Sequence, residues 1–265
     1  MRKIIFTSIS VILILVYFTG QVFAAWAAAT SFETTNGTTT PTAGADVILT
    51  GDGTGWNGNW ASVSSGADYD YDDTVTGVPD GSWAVKISSA SGNALIKRLL
   101  TTSVTSGIIH TAMRVNLKLG TSQRLVLVRD TAPISMWNVE FNTADIVING
   151  DTSATVLTNY TAGTWYKVAI NFDTAVPTAK ARVDGGSWSS GVASVASRTG
   201  DITEVRFEQG DTGLGPQYYD QVCEGVEPTA QGCAVAAAAA FFGDFFFFFF
   251  WGMGIRPRKL YEQFA

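Results

Sequence analysis

The chain has 265 residues, a mass of 28.2 kDa and a formal net charge of −6. Charged residues make up 15% of it, below the roughly 25% usual in soluble domains. Residues 25–227 hold 12 basic and 21 acidic side chains, and 12 minus 21 gives a net charge of −9. Nucleic-acid surfaces need clustered Lys and Arg to neutralise phosphates, so this balance excludes one. A single His and two Cys exclude a zinc-finger or thiolate-cluster protein.

Residues 1–24 are typical of a secretory signal peptide. A positive start at Arg2 and Lys3 precedes a mostly apolar segment, and small residues stand one and three positions before the expected cut. This pattern predicts cleavage after Ala24, with cleavage after Ala27 as the rival and an uncleaved anchor helix as the remaining alternative. In every case the following domain is exported.

Residues 228–265 are predicted to form a linker, a hydrophobic helix and a basic tail. The 22-residue stretch 234–255 carries one charge, Asp244, and as a helix it is about 33 Å long at ~1.5 Å per residue. That length crosses a bilayer core. Three basic residues follow at once, as the positive-inside rule requires of an exported protein: Arg256, Arg258 and Lys259.

The same tail also resembles bacterial C-terminal sorting tails of the PEP type, although Val226-Glu227-Pro228 stands where Pro-Glu-Pro is expected. A frame slip in the homopolymer tract is the alternative origin of the six consecutive Phe residues at 245–250. The two ends together predict a protein that is secreted, at the cell surface or membrane-anchored, with its domain outside the cytoplasm.

Residues 25–227 show the pattern of an all-β domain, a sandwich of two antiparallel sheets. Short β-rich runs alternate with Gly, Thr, Ser, Asp and Asn every 8–14 residues. Six runs alternate with period two: 82–88, 107–118, 135–142, 164–173, 179–184 and 202–208. Seven further strands are predicted at 31–34, 45–50, 94–101, 124–130, 145–150, 154–159 and 217–223. The alternation directs Trp83, Trp137 and Leu117 into the core.

Two segments carry a family resemblance. Residues 163–173 read GTWYKVAINFD and residues 181–185 read ARVDG, so that a Trp opens one strand, an Asp ends it and a Val-Asp-Gly hairpin follows. With the opening residues 31–33 and the closing residues 218–222, this pattern resembles the laminin-G-like and concanavalin A-like jelly-roll domains over roughly residues 30–223. The resemblance implies a glycan-binding or adhesion domain, or one of the hydrolases and lyases built on the same fold.

The hydrolase motif of such relatives is a strand with Glu-x-Asp-x-Glu or Glu-x-Asp-x-x-Glu. The nearest match, from Glu204 to Glu208, lacks the central Asp and carries Arg206 between the two carboxylates. This arrangement favours a charge-neutralised outer strand face over a pair of catalytic acids.

A polysaccharide lyase needs a base, and His110 is the only His in the chain. The residues Ile108-Ile109-His110 weakly resemble the Gln-Ile-His strand of alginate lyases, but the other two lyase strand motifs are absent. A lyase that uses His110 is therefore the alternative function, and a solvated strand histidine is the simpler interpretation.

The favoured interpretation is an exported, surface-anchored, non-catalytic module that binds a polysaccharide or glycoprotein. Aromatic rings stack on sugar rings, and polar side chains bond their hydroxyls. The predicted ligand-binding residues are two loop tryptophans and the polar side of one strand: Trp56, Trp188, His110, Arg114 and Asn116. A structural envelope protein without a ligand is the third possibility.

Two further features concern stability. Cys223 and Cys233 either pair after export or leave Cys233 free. Glu33 and Asp220 belong to the predicted first and last strands, which lie side by side in a jelly roll, so a structural calcium ion between them is expected to offset their repulsion. The acidic run 68–73 is a second calcium candidate, with a solvated loop as its alternative.

Overall fold

The computed structural model describes residues 26–34, 39–48, 50–51, 53–62, 67–89, 94–118, 123–129, 134–210, 215–225 and 233. The chain divides into two units, residues 1–233 and 234–265. The predicted signal peptide and the predicted membrane helix lie outside the described residues. In the part that is described, no helix has both the length and the apolar character needed to cross a membrane.

Fifteen strands run through the described residues. They are β1 (Ala28–Thr30), β2 (Trp56–Ser62), β3 (Ala67–Asp72), β4 (Ala84–Ser89), β5 (Ala94–Val104), β6 (Ser106–Val115), β7 (Gln123–Arg129), β8 (Ile134–Phe141), β9 (Ile146–Asn149), β10 (Ser153–Leu157), β11 (Trp165–Asp173), β12 (Thr178–Val183), β13 (Val192–Ala193), β14 (Ile202–Gln209) and β15 (Gln217–Gly225). One 3-10 turn, Val195–Ser197, precedes β14.

The strands form two sheets that enclose one core. The eight-stranded sheet has the order β13-β12-β11-β6-β15-β4-β3, with β1 paired to β15. The seven-stranded sheet has the order β10-β9-β8-β7-β14-β5-β2. The neighbours in each sheet are antiparallel. The predicted all-β sandwich of two antiparallel sheets is therefore confirmed.

The period-two pattern decides which side chains enter the core. In β11, Tyr166, Val168, Ile170 and Phe172 are all buried between the sheets, and Trp137 of β8 is fully buried, as predicted. The prediction for Leu117 is wrong: β6 ends at Val115, so the alternation does not extend to Leu117, which is 47% exposed.

Two predicted strands near the N-terminus are absent. The first strand ends at Thr30, before the predicted 31–34, and Phe32 follows with φ +62°, a value that a strand does not contain. The described residues of the range 45–50 contain a single bridge, between Asp46 and Asp70, and no strand. The side chain of Asp46 instead accepts the N–H of Ile48, an Asx turn that bends the chain there.

Two segments predicted as loops are strands. The acidic run 68–73 lies largely in β3, where Tyr69 and Tyr71 are 4% and 1% exposed and Asp70 pairs with Lys86 across to β4. The tyrosines therefore face the core and the aspartates face outward. The Gly-rich segment before Trp56 leads directly into β2. Gly55 has φ +78°, and a Cβ there would collide with the carbonyl of Ala27.

Both ends of the domain meet at β15. This strand lies between β6 and β4, all its residues are buried, and β1 extends the pairing with Ala28 opposite Glu224. Just before β1, the N–H of Ala27 donates to the carbonyl of Glu224, and Trp26 is only 7% exposed. The chain from Trp26 onward is thus part of the folded domain.

The burial of Trp26 and the hydrogen bond of Ala27 favour one of the two predicted cleavage sites over the other. Cleavage after Ala27 would remove the buried Trp26 and the hydrogen bond of Ala27, whereas cleavage after Ala24 keeps both. We expect mass spectrometry of the exported protein to show an N-terminus at Ala25. An N-terminus at Ala28 on a protein of unchanged stability would contradict this expectation.

Candidate functional site

Glu33 and Asp220 bind the two sides of the same loop. Oε1 of Glu33 accepts the N–H groups of Ser82 and Trp83 at 3.0 and 2.9 Å, and Oδ2 of Asp220 accepts the N–H of Asp80 at 2.9 Å. Residue 81 is a glycine, and a Cβ at this position would occupy the space that the Glu33 carboxylate fills. The loop before β4 is therefore held against the meeting point of β1 and β15.

Asp220 is an unusually placed carboxylate. Its side chain is fully buried, and its Oδ1 makes no hydrogen bond of good geometry to the described residues. The pKa of Asp220 is raised to about 8: burial is the largest cause, the negative charges of Asp80 and Glu33 act in the same direction, and the N–H groups of Asp80 and Gln221 act against them. Within the described residues, no three His, Cys, Asp or Glu side chains are grouped closely enough to hold a metal ion.

The backbone is strained next to each of the two carboxylates, Glu33 and Asp220. Phe32, beside Glu33, has φ +62°, and Gln221, beside Asp220, has φ +41°. The register of β15 against β6 shifts between Asp220 and Val222. Such a bulge re-aims a side chain, and non-glycine residues in this φ region persist only where their surroundings hold them.

A small cap covers the adjoining part of the eight-stranded sheet. Cys223 and Cys233 are joined in a disulfide, with their Cα atoms 5.4 Å apart. Oε1 of Gln221 accepts the N–H of Cys233 at 2.9 Å. Trp26 packs edge-on against His110, with ring centroids 5.1 Å apart. The disulfide thus fixes Cys233 over the same strand that carries Asp220.

His110 lies beneath this cap. It is on the outward side of β6, as predicted, but it is 4% exposed and therefore not a solvated strand histidine. The pKa of His110 is lowered to about 4, chiefly by burial and also by the positive charges of Arg182 and Lys167. The ring is neutral at neutral pH, but it is covered, so it is poorly placed to take a proton from a polysaccharide.

Arg114 and Asn116 lie further along the same outer face. Nη1 of Arg114 donates to the carbonyl of Thr76 at 2.9 Å, and Trp165 Nε1 donates to the same oxygen at 3.2 Å. Asn116 acts against the rise that burial causes in the pKa of Tyr218, so its side chain lies near the Tyr218 hydroxyl. Arg114 and Trp165 therefore fasten the segment before β4 to this sheet.

The two predicted tryptophans are on different sheets. Trp188 follows β12 of the eight-stranded sheet and is mostly buried, with Cζ of Arg182 4.5 Å from its ring centroid. Trp56 begins β2 of the seven-stranded sheet, where Arg98 lies 5.4 Å from its ring and 5.8 Å from that of Trp60. The structure thus places His110, Arg114, Asn116 and Trp188 on one outer face and Trp56 elsewhere.

The outer face of the seven-stranded sheet carries a network of which the sequence predicted only the part around Glu204, Arg206 and Glu208. Lys97 pairs with Glu204 at 3.0 Å, and Arg206 pairs with the other oxygen of Glu204. Arg124 lies 3.0 Å from Glu140 and 3.7 Å from Glu208.

The network continues to the far edge of the sheet through amides and a hydroxyl. Nδ2 of Asn149 donates to Asn138 at 3.1 Å and to Glu140 at 3.4 Å, and the hydroxyl of Ser153 donates to Asn149 at 2.7 Å. Alternation places Arg124, Arg206 and Glu208 outward, but only the pairing of distant strands brings them together.

The two carboxylates of the imperfect hydrolase motif belong to this network. Glu204 is held between Lys97 and Arg206, and Glu208 lies beside Arg124. Burial raises the pKa of Glu208, while the charges of Arg124 and Arg206 act against that rise. Each of the two carboxylates therefore has a cation beside it. This agrees with the charge-neutralised outer face that the sequence predicted.

The chain matches no protein-family model and no curated protein. Solved structures similar to it include a sialidase at 14% identity and a TM-score of 0.49, over 64% of this chain and 17% of that one. Cellulose induced protein Cip1 is 17% identical with a TM-score of 0.48, over 68% and 94% of the two chains. Carbohydrate-binding module CBM66 from Bacillus subtilis is 12% identical with a TM-score of 0.41, over 63% and 94%.

A peanut lectin is also among the similar structures, at 12% identity and a TM-score of 0.40, over 63% of this chain and 97% of that one. This chain spans less than a fifth of the sialidase. Likenesses at these identities and TM-scores concern the fold and carry no information about ligand or activity.

The buried His110 predicts a specific pH dependence of stability. Its pKa is about 4 in the folded protein and about 6.5 in the unfolded chain, so the unfolded chain binds the proton more tightly. We expect stability to fall as the pH drops from 6.5 to 4, by about 3 kcal/mol at most, at ~1.4 kcal/mol per pKa unit.

Urea unfolding of the wild type and of His110→Gln at several pH values measures this effect. Carboxylates titrate in both proteins, so the difference between the two curves isolates the histidine. Parallel curves between pH 7 and pH 4 would show that His110 does not contribute.

Proposed function

We propose that this protein is a non-catalytic glycan-binding module, and that its glycan lies across the outer face of the seven-stranded sheet. The observation that carries the proposal is the hydrogen-bonded polar network of that face. Its charged side chains are only 5–32% exposed, because they lie against one another along the sheet. They are therefore already ordered, which lowers the entropy cost of binding a ligand.

The strand register aligns the network into rows. One row runs through Ser153, Asn149, Asn138, Val126, Arg206, Lys97 and Ala61, one residue from each strand of the sheet. A second row contains Glu140, Arg124 and Glu208. From Ser153 to Lys97 the first row crosses five strand spacings, about 24 Å at ~4.8 Å each. This length suits an extended oligosaccharide.

The charges in the network predict a neutral ligand. Three cations, Lys97, Arg124 and Arg206, balance three carboxylates, Glu140, Glu204 and Glu208. Guanidinium groups donate and carboxylates accept, so adjacent pairs match the adjacent hydroxyls of a sugar ring. A chain of neutral sugars can bond to these alternating donors and acceptors, and it adds no charge to a face whose charges already balance.

The neutralised carboxylates also support a binding role over hydrolysis. A retaining hydrolase needs two carboxyl groups about 5–5.5 Å apart around the scissile bond. Glu204 and Glu208 are four residues apart on one strand, about 13 Å at ~3.3 Å per residue, and cations lie beside both. The covered position of His110 weighs against the lyase alternative in the same way.

We also propose a structural calcium ion held by Glu33 and Asp220. The buried Oδ1 of Asp220, which lacks a good hydrogen bond to the described residues, is an oxygen of the kind that calcium prefers. A divalent cation there would offset the repulsion among Glu33, Asp80 and Asp220. Its role would be to hold the loop before β4 to the two ends of the domain.

The location of the protein is proposed from its sequence ends. A signal peptide at residues 1–24 and an apolar stretch at 234–255 followed by basic residues together support an exported domain held at a membrane or cell surface. An external location also suits the disulfide between Cys223 and Cys233.

Titration calorimetry with neutral tetrasaccharides tests the glycan site. We expect the purified full-length chain to bind at least one of cellotetraose, xylotetraose and mannotetraose. Asn138→Ala and Asn149→Ala each remove bonds of the first row, and together they should weaken binding about tenfold, at ~1 kcal/mol for a typical hydrogen bond.

Asn171→Ala is the matched control, because Asn171 is an exposed asparagine of β11 on the opposite sheet. It should leave the affinity unchanged. Absence of binding to all three sugars, or equal loss in the control, would contradict the proposed site.

Thermal unfolding with calcium and with EDTA tests the metal site. Calcium at 100 times its dissociation constant adds about 2.7 kcal/mol, which corresponds to about 5–10 °C in a domain of this size. Asp220→Asn should abolish the shift, and Asp73→Asn, an exposed residue of the acidic run, should retain it. A calcium shift that survives in Asp220→Asn would exclude this site.

Cell fractionation tests the proposed anchor. We expect the full chain to remain with the membrane fraction, and a chain that ends at Glu227 to be released, because the apolar stretch supplies the membrane affinity. Equal release of both forms to the medium would show that residues 228–265 do not anchor the protein.

A further inference from the structure

The turn between β10 and β11 contains an acceptor sequence for N-linked glycans. Asn159, Tyr160 and Thr161 match the pattern Asn-x-Thr, in which the middle residue is any residue except Pro. A second match begins at Asn36 and lies outside the described residues. The structure therefore shows the surroundings of the acceptor at Asn159.

Asn159 and Thr161, which supply the acceptor amide and the required hydroxyl, both face solvent. Each is exposed, whereas Tyr160 between them is 2% exposed. The backbone N–H of Asn159 donates to Oδ1 of Asp145 at 3.0 Å. The backbone N–H of Thr161 donates to the hydroxyl of Tyr166 at 2.7 Å. These bonds do not use the side-chain amide of Asn159 or the hydroxyl of Thr161, so both groups remain open to an enzyme.

Tyr160 holds the turn in this orientation. Its hydroxyl donates to the carbonyl of Asn142 at 2.8 Å, and its ring meets those of Phe141 and Tyr166 edge-on, with centroids 5.1 and 6.2 Å apart. Asn159 itself has φ +53°, a left-handed conformation that asparagine adopts more readily than most residues. Because the middle residue of the acceptor is buried, its two neighbours are presented on the surface of the folded domain.

We propose that Asn159 is a site of N-glycosylation, and that it receives an oligosaccharide from a lipid-linked donor through an oligosaccharyltransferase. The inference rests on the proposed export of residues 25–227, because the transferase and its donor meet the chain on the far side of the membrane. The sugar at Asn159 would be covalently attached, and it is separate from the glycan that the seven-stranded sheet is proposed to bind.

The transfer replaces one bond at the anomeric carbon of the donor. Nδ2 of Asn159 forms a bond to this carbon and loses a proton, while the bond from the carbon to a phosphate oxygen breaks. The lipid pyrophosphate leaves with the electron pair of the broken bond. The only co-reactant is therefore the lipid-pyrophosphate oligosaccharide. The hydroxyl of Thr161 is the part of the acceptor that the transferase recognises.

The position of Asn159 indicates what the glycan would do. β10 is the end strand of the seven-stranded sheet, and Asn159 lies two residues beyond Leu157, the last residue of that strand. End strands carry unpaired backbone groups that can pair with a second chain. A bulky, hydrophilic oligosaccharide beside β10 would hinder such pairing.

Cell-free translation of the full-length chain with microsomal membranes tests the proposal, because these membranes contain the transferase and its donor. Asn36→Gln serves as the parent protein, so that the acceptor at Asn159 is the only one left. We expect one glycosylated product, whose added mass endoglycosidase H removes. Asn159→Gln should abolish this product completely, because the acceptor pattern requires asparagine.

Variants at the third position of the acceptor separate glycosylation from other changes in mass. Thr161→Ser keeps the hydroxyl and should retain the glycan, whereas Thr161→Ala removes the hydroxyl and should abolish the glycan. Asn171→Gln is the matched control, because Asn171 is an exposed asparagine of β11 that no acceptor hydroxyl follows. It should leave the product unchanged.

The same translation distinguishes failure of export from failure of this inference. Imported chains lose residues 1–24, and their domain resists added protease. Imported chains without a glycan would overturn the inference and leave the proposed export intact, and so would a glycan that survives in Asn159→Gln or Thr161→Ala. Chains that keep residues 1–24 and are digested would contradict the proposed export, and the inference with it.

Discussion

The insertion of β15 between β6 and β4 is the constraint on which the rest of the structure depends. The last strand of the described domain completes the middle of the eight-stranded sheet, and β1 then pairs with it. The strand also carries Asp220, which binds the loop before β4, and Cys223, which holds the disulfide. Residues 217–225 therefore supply the strand partner of β1, one of the anchors of that loop and one half of the disulfide in the cap over His110.

The two outer faces of the sandwich differ in chemistry because each is built from different strands. On the seven-stranded sheet, cations and carboxylates alternate and neutralise one another at distances of 3.0–3.7 Å. On the eight-stranded sheet, a disulfide, Trp26 and the loop fastened by Arg114 cover much of the surface. The seven-stranded sheet thus presents paired polar side chains on its outer face, whereas part of the outer face of the eight-stranded sheet is covered.

Period-two alternation was enough to predict the fold class and the core of strands such as β11 and β14, because their apolar residues recur without interruption. It failed for β2 and β3, where Gly, Asn and Asp dominate and suggest loops. The polar rows were beyond sequence reasoning for another reason. Lys97 and Arg206 become neighbours only through the register of β5 against β14, which no local pattern encodes. Burial of His110 likewise depends on Trp26 and Cys233, which are distant in sequence.

Backbone-amide NMR during titration with a neutral oligosaccharide that binds tests the central claim most directly, because it maps the contact without any substitution. The account predicts shift changes along β5, β7, β8, β9 and β14, centred on the rows that contain Arg124, Asn138 and Arg206. Shift changes confined to loops or to the eight-stranded sheet would contradict it.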